Sequence, residues 1–138
     1  MLDLSTEAGK HADRRLREEA IIWLTTVRSD GQPQPVPIWF FWDGRTVLIY
    51  SQPNQQKIRN IRANPRVALN LNSTPQGGDI VRLLGTAEIP DSWPPATAIP
   101  EMIEKYRAAI GQIGLTPEGY AAAYSVAIRI TPTDITVR

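Results

Sequence analysis

Residues 32–71 read QPQPVPIWFFWDGRTVLIYSQPNQQKIRNIRANPRVALNL, and this stretch decides the fold. Runs of β-branched and aromatic residues predict strands on both sides of the segment 54–65, which has the composition of a short helix. Asp43-Gly44 predicts a tight turn between two of the strands. The stretch therefore predicts hairpin-connected strands that are interrupted once by a helix.

The flanking sequence continues this pattern in both directions. Residues 7–20 suit a charged helix, and Thr116 followed by Pro117 predicts the N-terminus of another. Further strands are predicted at 21–27, 66–72, 79–89 and 124–138, and a further helix at 101–111. We predict one mainly β domain, residues 1–138, with an N-terminal helical segment at 1–20 and an architecture of antiparallel barrel or sandwich.

The composition excludes several classes of protein. A chain of 138 residues with a formal net charge of +1 lacks the broad positive field of a nucleic-acid-binding protein. The absence of cysteine excludes disulfides and thiolate metal sites. The polar N-terminal segment lacks the features of a signal peptide, and no apolar run reaches the roughly 20 residues that span a bilayer. We expect a cytoplasmic protein without membrane or nucleic-acid partners.

Three prolines alternate with other residues at Pro33, Pro35 and Pro37. Alternate residues of a strand direct their N–H groups toward the same neighbour, and proline has no N–H. One edge of this strand therefore cannot donate hydrogen bonds. It is either an edge strand protected from aggregation or the place where a barrel splits and admits a flat ligand. The apolar run Ile38–Trp42 that follows predicts cover on both faces, from a partner subunit or a bound ring.

The predicted helix at 54–65 carries Lys57, Arg59 and Arg62 without any carboxylate. With Asn54 as N-cap, Lys57 lies in the first turn, where free N–H groups already make the surroundings positive. A bound anion explains this arrangement, with Ser51 as an additional hydroxyl. The alternative is a solvated surface helix whose cations face water or pair with acids elsewhere, such as Glu18, Glu19 or Asp79.

Residues for direct catalysis are scarce. The only histidine, His11, lies in the polar N-terminal segment and is expected to be solvated, so neither a His-based triad nor a multi-histidine metal site is predicted. Most carboxylates are predicted in turns or helices, with Glu88 the main exception, and no nucleotide-binding motif is present. An enzyme with this sequence would need a cofactor for its reactivity, and no metal ligand is assigned.

The order of these motifs resembles the pyridoxamine 5′-phosphate oxidase-like family of FMN-binding split β-barrels, and within it the oxidoreductases that use coenzyme F420. The resemblance rests on the Gly-x-Pro turn at 31–33, the Pro-x-Trp-Phe strand at 37–40, the strand end at Tyr50-Ser51, and the helix from Lys57 to Asn64-Pro65. It extends from about Ile21 to the C-terminal strand. It implies a homodimer that holds a flavin or deazaflavin in a groove between subunits.

The resemblance also implies which residues bind the cofactor. Lys57 and Ser51 would contact its phosphate or ribityl chain, and Arg59 or Arg62 would add contacts to its anionic tail. Val36, Pro37 and Ile38 would line the ring, with Gln52 and Ile58 nearby. FMN oxidases of the family carry an arginine in the second strand, where this chain has Pro35-Val36-Pro37. That departure favours coenzyme F420 over FMN, which remains the alternative.

Three functions follow as hypotheses. The first is an oxidoreductase that passes a hydride from the reduced deazaflavin to a small unsaturated organic substrate, with Tyr50, Tyr106 or water as proton source and no catalytic residue assigned. The second is a non-catalytic FMN or F420 carrier or sensor. The third is a single-stranded nucleic-acid binder that uses Trp39 and Phe41 for stacking, which the near-zero net charge disfavours.

Overall fold

A computed structural model describes all 138 residues. The chain forms seven strands and four α-helices, with a 3₁₀ turn at Ala96–Ala98. In chain order the elements are α1 (Glu7–Glu18), β1 (Ile22–Val27), β2 (Pro33–Ile38), β3 (Phe41–Trp42), β4 (Val47–Ser51), α2 (Gln56–Ala63), β5 (Arg66–Leu71), β6 (Val81–Glu88), α3 (Pro100–Gln112), α4 (Pro117–Ala123) and β7 (Val126–Val137). The predicted mainly β chain with inserted helices is confirmed.

The strands form one antiparallel sheet in the order β2-β1-β5-β6-β7-β4-β3. β2 and β3 lie at opposite edges of this sheet, yet only Trp39 and Phe40 separate them in the chain. Three Cα–Cα steps from Ile38 to Phe41 span at most about 11 Å. A flat sheet of seven strands would place its outer strands about 29 Å apart. The sheet must therefore curl until its edges nearly meet, which gives a barrel that is split between β2 and β3.

Alternating side chains of the sheet divide between two cores. Val47 and Ile49 of β4 belong to a cluster of 18 buried residues on the inner face of the curl. Leu48 and Tyr50 of the same strand belong to a second cluster of nine, which packs against α3 and α4 on the other face. Because successive side chains of a strand point to opposite faces, all five residues of β4 are buried.

The N-terminal helix α1 packs its buried Ala12 and Leu16 into the inner core. Its polar face is more ordered than the sequence suggested. His11 is not freely solvated: its Nε2 lies 3.0 Å from an Asp79 carboxylate oxygen. Arg15 pairs with both Glu19 and Asp79. These contacts attach α1 to the loop between β5 and β6.

Two expectations about the strands hold. β2 is an edge strand that pairs only with β1, as its prolines predicted. The turn at Asp43-Gly44 joins β3 to β4. However, the chain leaves the sheet at Trp39 and Phe40, and α3 and α4 of the same chain pack against Trp39 and Phe41. This packing covers the run only in part, because Ile38, Trp39 and Phe41 are half-buried. None of the helices is both long and apolar enough to cross a membrane.

Candidate functional site

A groove lies where the split of the barrel meets the N-terminus of α2. Its first cavity has a volume of about 310 Å³. Eleven residues from β2, β4, α2, α4 and the segments that follow β2, β4, α3 and α4 line this cavity: Pro37, Ile38, Trp39, Tyr50, Ser51, Gln52, Gln55, Lys57, Ile113, Tyr120 and Tyr124. The volume is at the lower end of the range for small-molecule sites. The cavity combines an apolar wall with one cation.

A second cavity of about 420 Å³ lies beside the first, between β2 and the exposed turns of α2. Polar side chains dominate its lining, which comprises Thr26, Gln32, Pro33, Gln34, Pro35, Val36, Gln56, Lys57 and Asn60. Lys57 is the residue that lines both cavities. The ammonium group therefore lies at the junction of an aromatic compartment and an amide-rich one.

Lys57 has no carboxylate partner. Its side chain is half-buried, and desolvation lowers its pKa from the ordinary lysine value. Two of the acids named as possible partners are engaged elsewhere: Glu19 pairs with Arg15, and Asp79 pairs with His11 and Arg15. Glu18, the third, forms no ion pair with Lys57. None of the ion pairs involves a cation of α2, so the pairing alternative from the sequence does not apply. A half-buried, uncompensated cation is an attractive position for a ligand anion.

The start of α2 differs in detail from the prediction. Asn54 is not the N-cap; it has a left-handed backbone, with φ at 63°. Gln55 is the N-cap, and its side chain makes no capping hydrogen bond. The backbone N–H groups of Gln56 and Lys57 donate to no acceptor in the chain. These free donors and the helix dipole add to the positive character around Lys57.

The predicted cofactor-binding residues fall into three groups. Pro37, Ile38, Ser51, Gln52 and Lys57 line the first cavity. Val36 lines the second, together with Lys57. Ile58 lines neither cavity, because its side chain is buried in the inner core. Ile58 therefore anchors α2 and does not border the groove.

The hydroxyl groups near the groove are used differently from the expectation. Ser51 donates its hydroxyl hydrogen to the Gln52 carbonyl at 2.8 Å, and Tyr50 donates to the Pro94 carbonyl at 2.7 Å. The hydroxyl of Tyr106 lies within hydrogen-bond distance of Ala20 and Phe40 and does not reach the cavity. Tyr106 is therefore not a proton source for this groove.

Stacked rings form the apolar wall of the first cavity. Trp39 stacks on Tyr106 with ring centroids 4.7 Å apart, and Tyr120 lies 5.5 Å from Trp39 and 4.8 Å from Tyr124. Trp39 is thus half-buried: it packs against the second core and also lines the first cavity. The sequence analysis assigned no role to Tyr120 and Tyr124, because residues of α4 approach the groove only through the packing of α3 and α4.

The arginines of α2 do not both face the groove. Arg59 donates to the Asn54 carbonyl at 2.9 Å and to the side chain of Gln56 at 2.8 Å. Arg62 has no protein partner and lines a separate cavity that contains Trp93.

The structure holds no cluster of three or more His, Asp or Glu side chains that could ligate a metal. His11 lines neither cavity of the groove.

Comparison with known proteins identifies the family. A family model described as pyridoxamine 5′-phosphate oxidase matches residues 8–138. The chain belongs to the pyridoxamine 5′-phosphate oxidase family. No curated protein sequence matches it. A solved structure of an F420 reductase shares 29% sequence identity with this chain and superposes with a TM-score of 0.69. The alignment covers 90% of this chain and 94% of the F420 reductase chain.

Two further solved structures share the fold of this family member at lower identity. General Stress Protein 26 from Bacillus anthracis has 22% identity and a TM-score of 0.68, covering 93% of this chain and 92% of the other. The heme storage protein HutZ from Vibrio cholerae has 15% identity and a TM-score of 0.66, covering 93% and 90%. The split-barrel fold that the sequence predicted is confirmed, and the same fold occurs in proteins with different ligands.

The groove of this pyridoxamine 5′-phosphate oxidase family member fits a flavin-type cofactor. Lys57 and the free N–H groups of α2 offer a cation and donors for an anionic chain. The packed rings of Trp39, Tyr120 and Tyr124 offer an apolar wall for a planar ring. The outer edge of β2 carries prolines, so no main-chain N–H of Pro33, Pro35 or Pro37 competes for that space.

Proposed function

We propose that the groove binds coenzyme F420, with FMN as the alternative, and that the protein is an oxidoreductase acting on a small unsaturated organic substrate. The observation that carries this proposal is the half-buried Lys57, which has no carboxylate partner and lines both cavities. Bound there, the deazaflavin would supply the hydride chemistry. The protein would bind, orient and desolvate the reactants.

Each part of the groove has a proposed role. Lys57 and the N-terminal N–H groups of α2 bind the phosphate of the cofactor. Pro37, Ile38 and Gln52 border the ring, and Val36 borders the chain between ring and phosphate. Ser51 presents its hydroxyl oxygen as an acceptor, because its hydrogen is directed to the Gln52 carbonyl.

Two observations favour the deazaflavin over FMN. β2 offers prolines and no arginine where the FMN oxidases of this family carry an arginine. The F420 reductase is similar over nine tenths of this chain. A homodimer that completes the groove with residues of a second subunit is part of the proposal.

A second candidate function is a carrier or sensor that binds the same cofactor without turnover. Two features of the groove favour this second function. Neither cavity is lined by a histidine or a carboxylate, and Tyr50 directs its hydroxyl hydrogen to the Pro94 carbonyl. Tyr120 and Tyr124 are the tyrosines of the first cavity whose hydroxyls make no hydrogen bond within the chain. Turnover would use one of these hydroxyls or water as the proton source.

Parallel titrations of the cofactor-free protein with coenzyme F420 and with FMN test the proposal, with tryptophan quenching and cofactor fluorescence as readouts. We expect tight binding of F420 and at least about tenfold weaker binding by Lys57→Met, because a charge-assisted contact is lost. Lys10→Met is the matched control, since Lys10 lies on α1 and pairs with Glu7. Unchanged affinity of Lys57→Met, or binding of neither cofactor, would contradict the proposal.

Turnover separates the two candidate functions. Bound reduced F420 is mixed with a panel of unsaturated acceptors, and reoxidation is followed by the return of cofactor absorbance. Reoxidation that saturates with one acceptor supports the oxidoreductase. Binding without reoxidation by any acceptor supports the carrier or sensor.

A further inference from the structure

A relay of side-chain hydrogen bonds runs from the exposed face of α2 into the second cavity. Arg59 Nη2 donates to Gln56 Oε1 at 2.8 Å, and Gln56 Nε2 donates to Asn60 Oδ1 at 2.8 Å. Asn60 Nδ2 then donates to Gln34 Oε1 and to Thr26 Oγ1, both at 2.9 Å. Asn60 is 2% exposed and Thr26 is 1% exposed, so the centre of this relay is buried.

Arg59 determines the direction of the relay. A guanidinium group can only donate, so the Gln56 atom that faces Arg59 must be the amide oxygen. The amide nitrogen of Gln56 then faces Asn60 and requires the Asn60 oxygen. The Asn60 nitrogen in turn requires the Gln34 oxygen. Reversing any one of these amides would place two donors or two acceptors against each other, at the cost of a lost buried hydrogen bond.

The relay ends at the carboxamide nitrogen of Gln34. This nitrogen has no hydrogen-bond partner in the chain. Every buried side-chain nitrogen and oxygen in the protein does have a partner, so the Gln34 nitrogen must be accessible to solvent. Gln34 lines the second cavity together with Lys57, and no carboxylate lines that cavity. Two N–H groups of Gln34 and the ammonium of Lys57 are therefore available to the same space.

We propose that Arg59 is a positioning residue for ligand recognition and that Gln34 is the group through which it acts. The relay holds the Gln34 carboxamide with its N–H groups toward the second cavity, which makes this cavity selective for a hydrogen-bond acceptor such as a carboxylate or phosphate oxygen. The inference rests on the proposed use of the groove for an anionic ligand. It assigns Arg59 a role that does not require contact with that ligand.

Gln34→Glu tests the end of the relay. The glutamate keeps an oxygen for Asn60 but replaces the donors that face the cavity with a second oxygen. Inorganic phosphate is titrated into cofactor-free, ¹⁵N-labelled protein, and side-chain amide resonances are followed by NMR. In the wild type we expect the Gln34 amide resonances to shift and saturate, and in Gln34→Glu at least about tenfold weaker phosphate binding.

Gln76→Glu is the control for the added negative charge, because Gln76 lies in the exposed loop between β5 and β6. Phosphate binding by Gln76→Glu should equal that of the wild type. A Gln34 resonance that does not move with phosphate, or equal binding by Gln34→Glu and Gln76→Glu, would overturn the assignment of Gln34. Since the probe is phosphate alone, this result does not depend on whether F420 or FMN binds.

Arg59→Met, Arg62→Met and Arg59→Lys test the start of the relay. Both methionine variants remove one charge from α2, but only Arg59 contacts Gln56. We expect phosphate binding about fivefold weaker in Arg59→Met than in Arg62→Met, because the Gln56, Asn60 and Gln34 amides become free to reverse. Arg59→Lys restores a group that only donates and should recover most of the affinity.

Thermal unfolding of each variant confirms that the fold is retained. Equal phosphate affinity in Arg59→Met and Arg62→Met would overturn the proposal, and so would failure of Arg59→Lys to recover it. Displacement of phosphate by F420 would place the cofactor's own anionic group in the second cavity. Simultaneous binding of both would assign that cavity to a separate anionic ligand, and either result requires the relay to be oriented as proposed.

Discussion

The hydroxyl of Tyr106 accepts a hydrogen bond from the backbone N–H of Phe40 at 2.9 Å and lies 2.8 Å from the Ala20 carbonyl, to which it donates. Tyr106 belongs to α3, and Phe40 belongs to the connection between β2 and β3. This single side chain therefore ties the outer helices to the place where the chain crosses the split of the barrel.

Tyr106→Phe should destabilise the protein by about 1–3 kcal/mol, because the buried Phe40 N–H and the Ala20 carbonyl lose their partner. Urea unfolding at neutral pH measures the change. Tyr124→Phe is the control, since the Tyr124 hydroxyl makes no hydrogen bond within the chain. Equal stability of the two variants would contradict the role given to the Tyr106 hydroxyl.

Gly85→Ala should be destabilising by about 1–3 kcal/mol or more, because space and not backbone conformation is limiting at this position. Gly85 lies at an irregularity in the β6–β7 register, and an added Cβ would be 2.4 Å from the Thr131 carbonyl oxygen.

Gly111→Ala is the opposite case: no atom lies near its Cβ position in α3, so stabilisation of about 0.5–1 kcal/mol is expected. Chemical denaturation of both variants shows whether each substitution lowers or raises the free energy of unfolding.

Lys105 should make the free energy of unfolding depend on pH. Its Nζ lies 3.9 Å from the centroid of the Phe40 ring and 3.2 Å from the Phe40 carbonyl. Burial lowers the pKa of Lys105 from the ordinary lysine value of 10.5 to about 8, although the nearby Glu19 carboxylate opposes this change. Between these two pH values the unfolded chain binds more protons than the folded chain. The contribution of Lys105 to the free energy of unfolding therefore rises with pH.

Lys105→Met removes this titration. Urea unfolding at pH 7, 8, 9 and 10 should show the stability of the wild type increasing relative to the variant across the series. Tyrosine ionisation affects both proteins and cancels in the difference. A difference that stays constant with pH would show that the pKa of Lys105 is not lowered in the folded protein.

Lys57 should make the binding of an anionic cofactor weaken with increasing pH. The pKa of Lys57 in the free protein is lowered by desolvation, and only the protonated ammonium attracts an anion. Affinity should therefore fall as the pH rises through this lowered pKa. Lys57→Arg keeps its charge to higher pH and should bind with less pH dependence.

Fluorescence titrations of both proteins between pH 7 and pH 10 measure this effect. The cofactor's own ionisations are common to the two and cancel in the ratio of affinities. Parallel pH profiles of the wild type and Lys57→Arg would exclude Lys57 as the group that titrates.

The fold was predictable because its signals are local. The prolines of β2 indicated an edge strand, Asp43-Gly44 indicated a hairpin, and Thr116-Pro117 indicated the start of α4, and each of these depends only on backbone chemistry at neighbouring residues. The curl of the sheet was not visible in any single motif. It follows from the pairing of distant strands together with the two-residue connection at Trp39 and Phe40.

The site was predicted in part for the same reason. Lys57 and Pro37 carry local signals, and both line the groove. Asn60, Tyr120 and the carboxamide of Gln34 were missed, because a polar residue in a helix and an alternating glutamine in a strand are ordinary until packing brings them together. Ile58 lines neither cavity and packs in the inner core, because spacing shows that a helix has an apolar face but not which neighbours that face meets.

The short connection between β2 and β3 limits how the groove can open. Trp39 and Phe40 join its two edges covalently, while Tyr106 holds Phe40 and stacks against Trp39. The width of the slot at this end is therefore set by the length of the polypeptide and not by a movable lid. Widening the slot at this end would require the Tyr106 contacts with Trp39 and Phe40 to break.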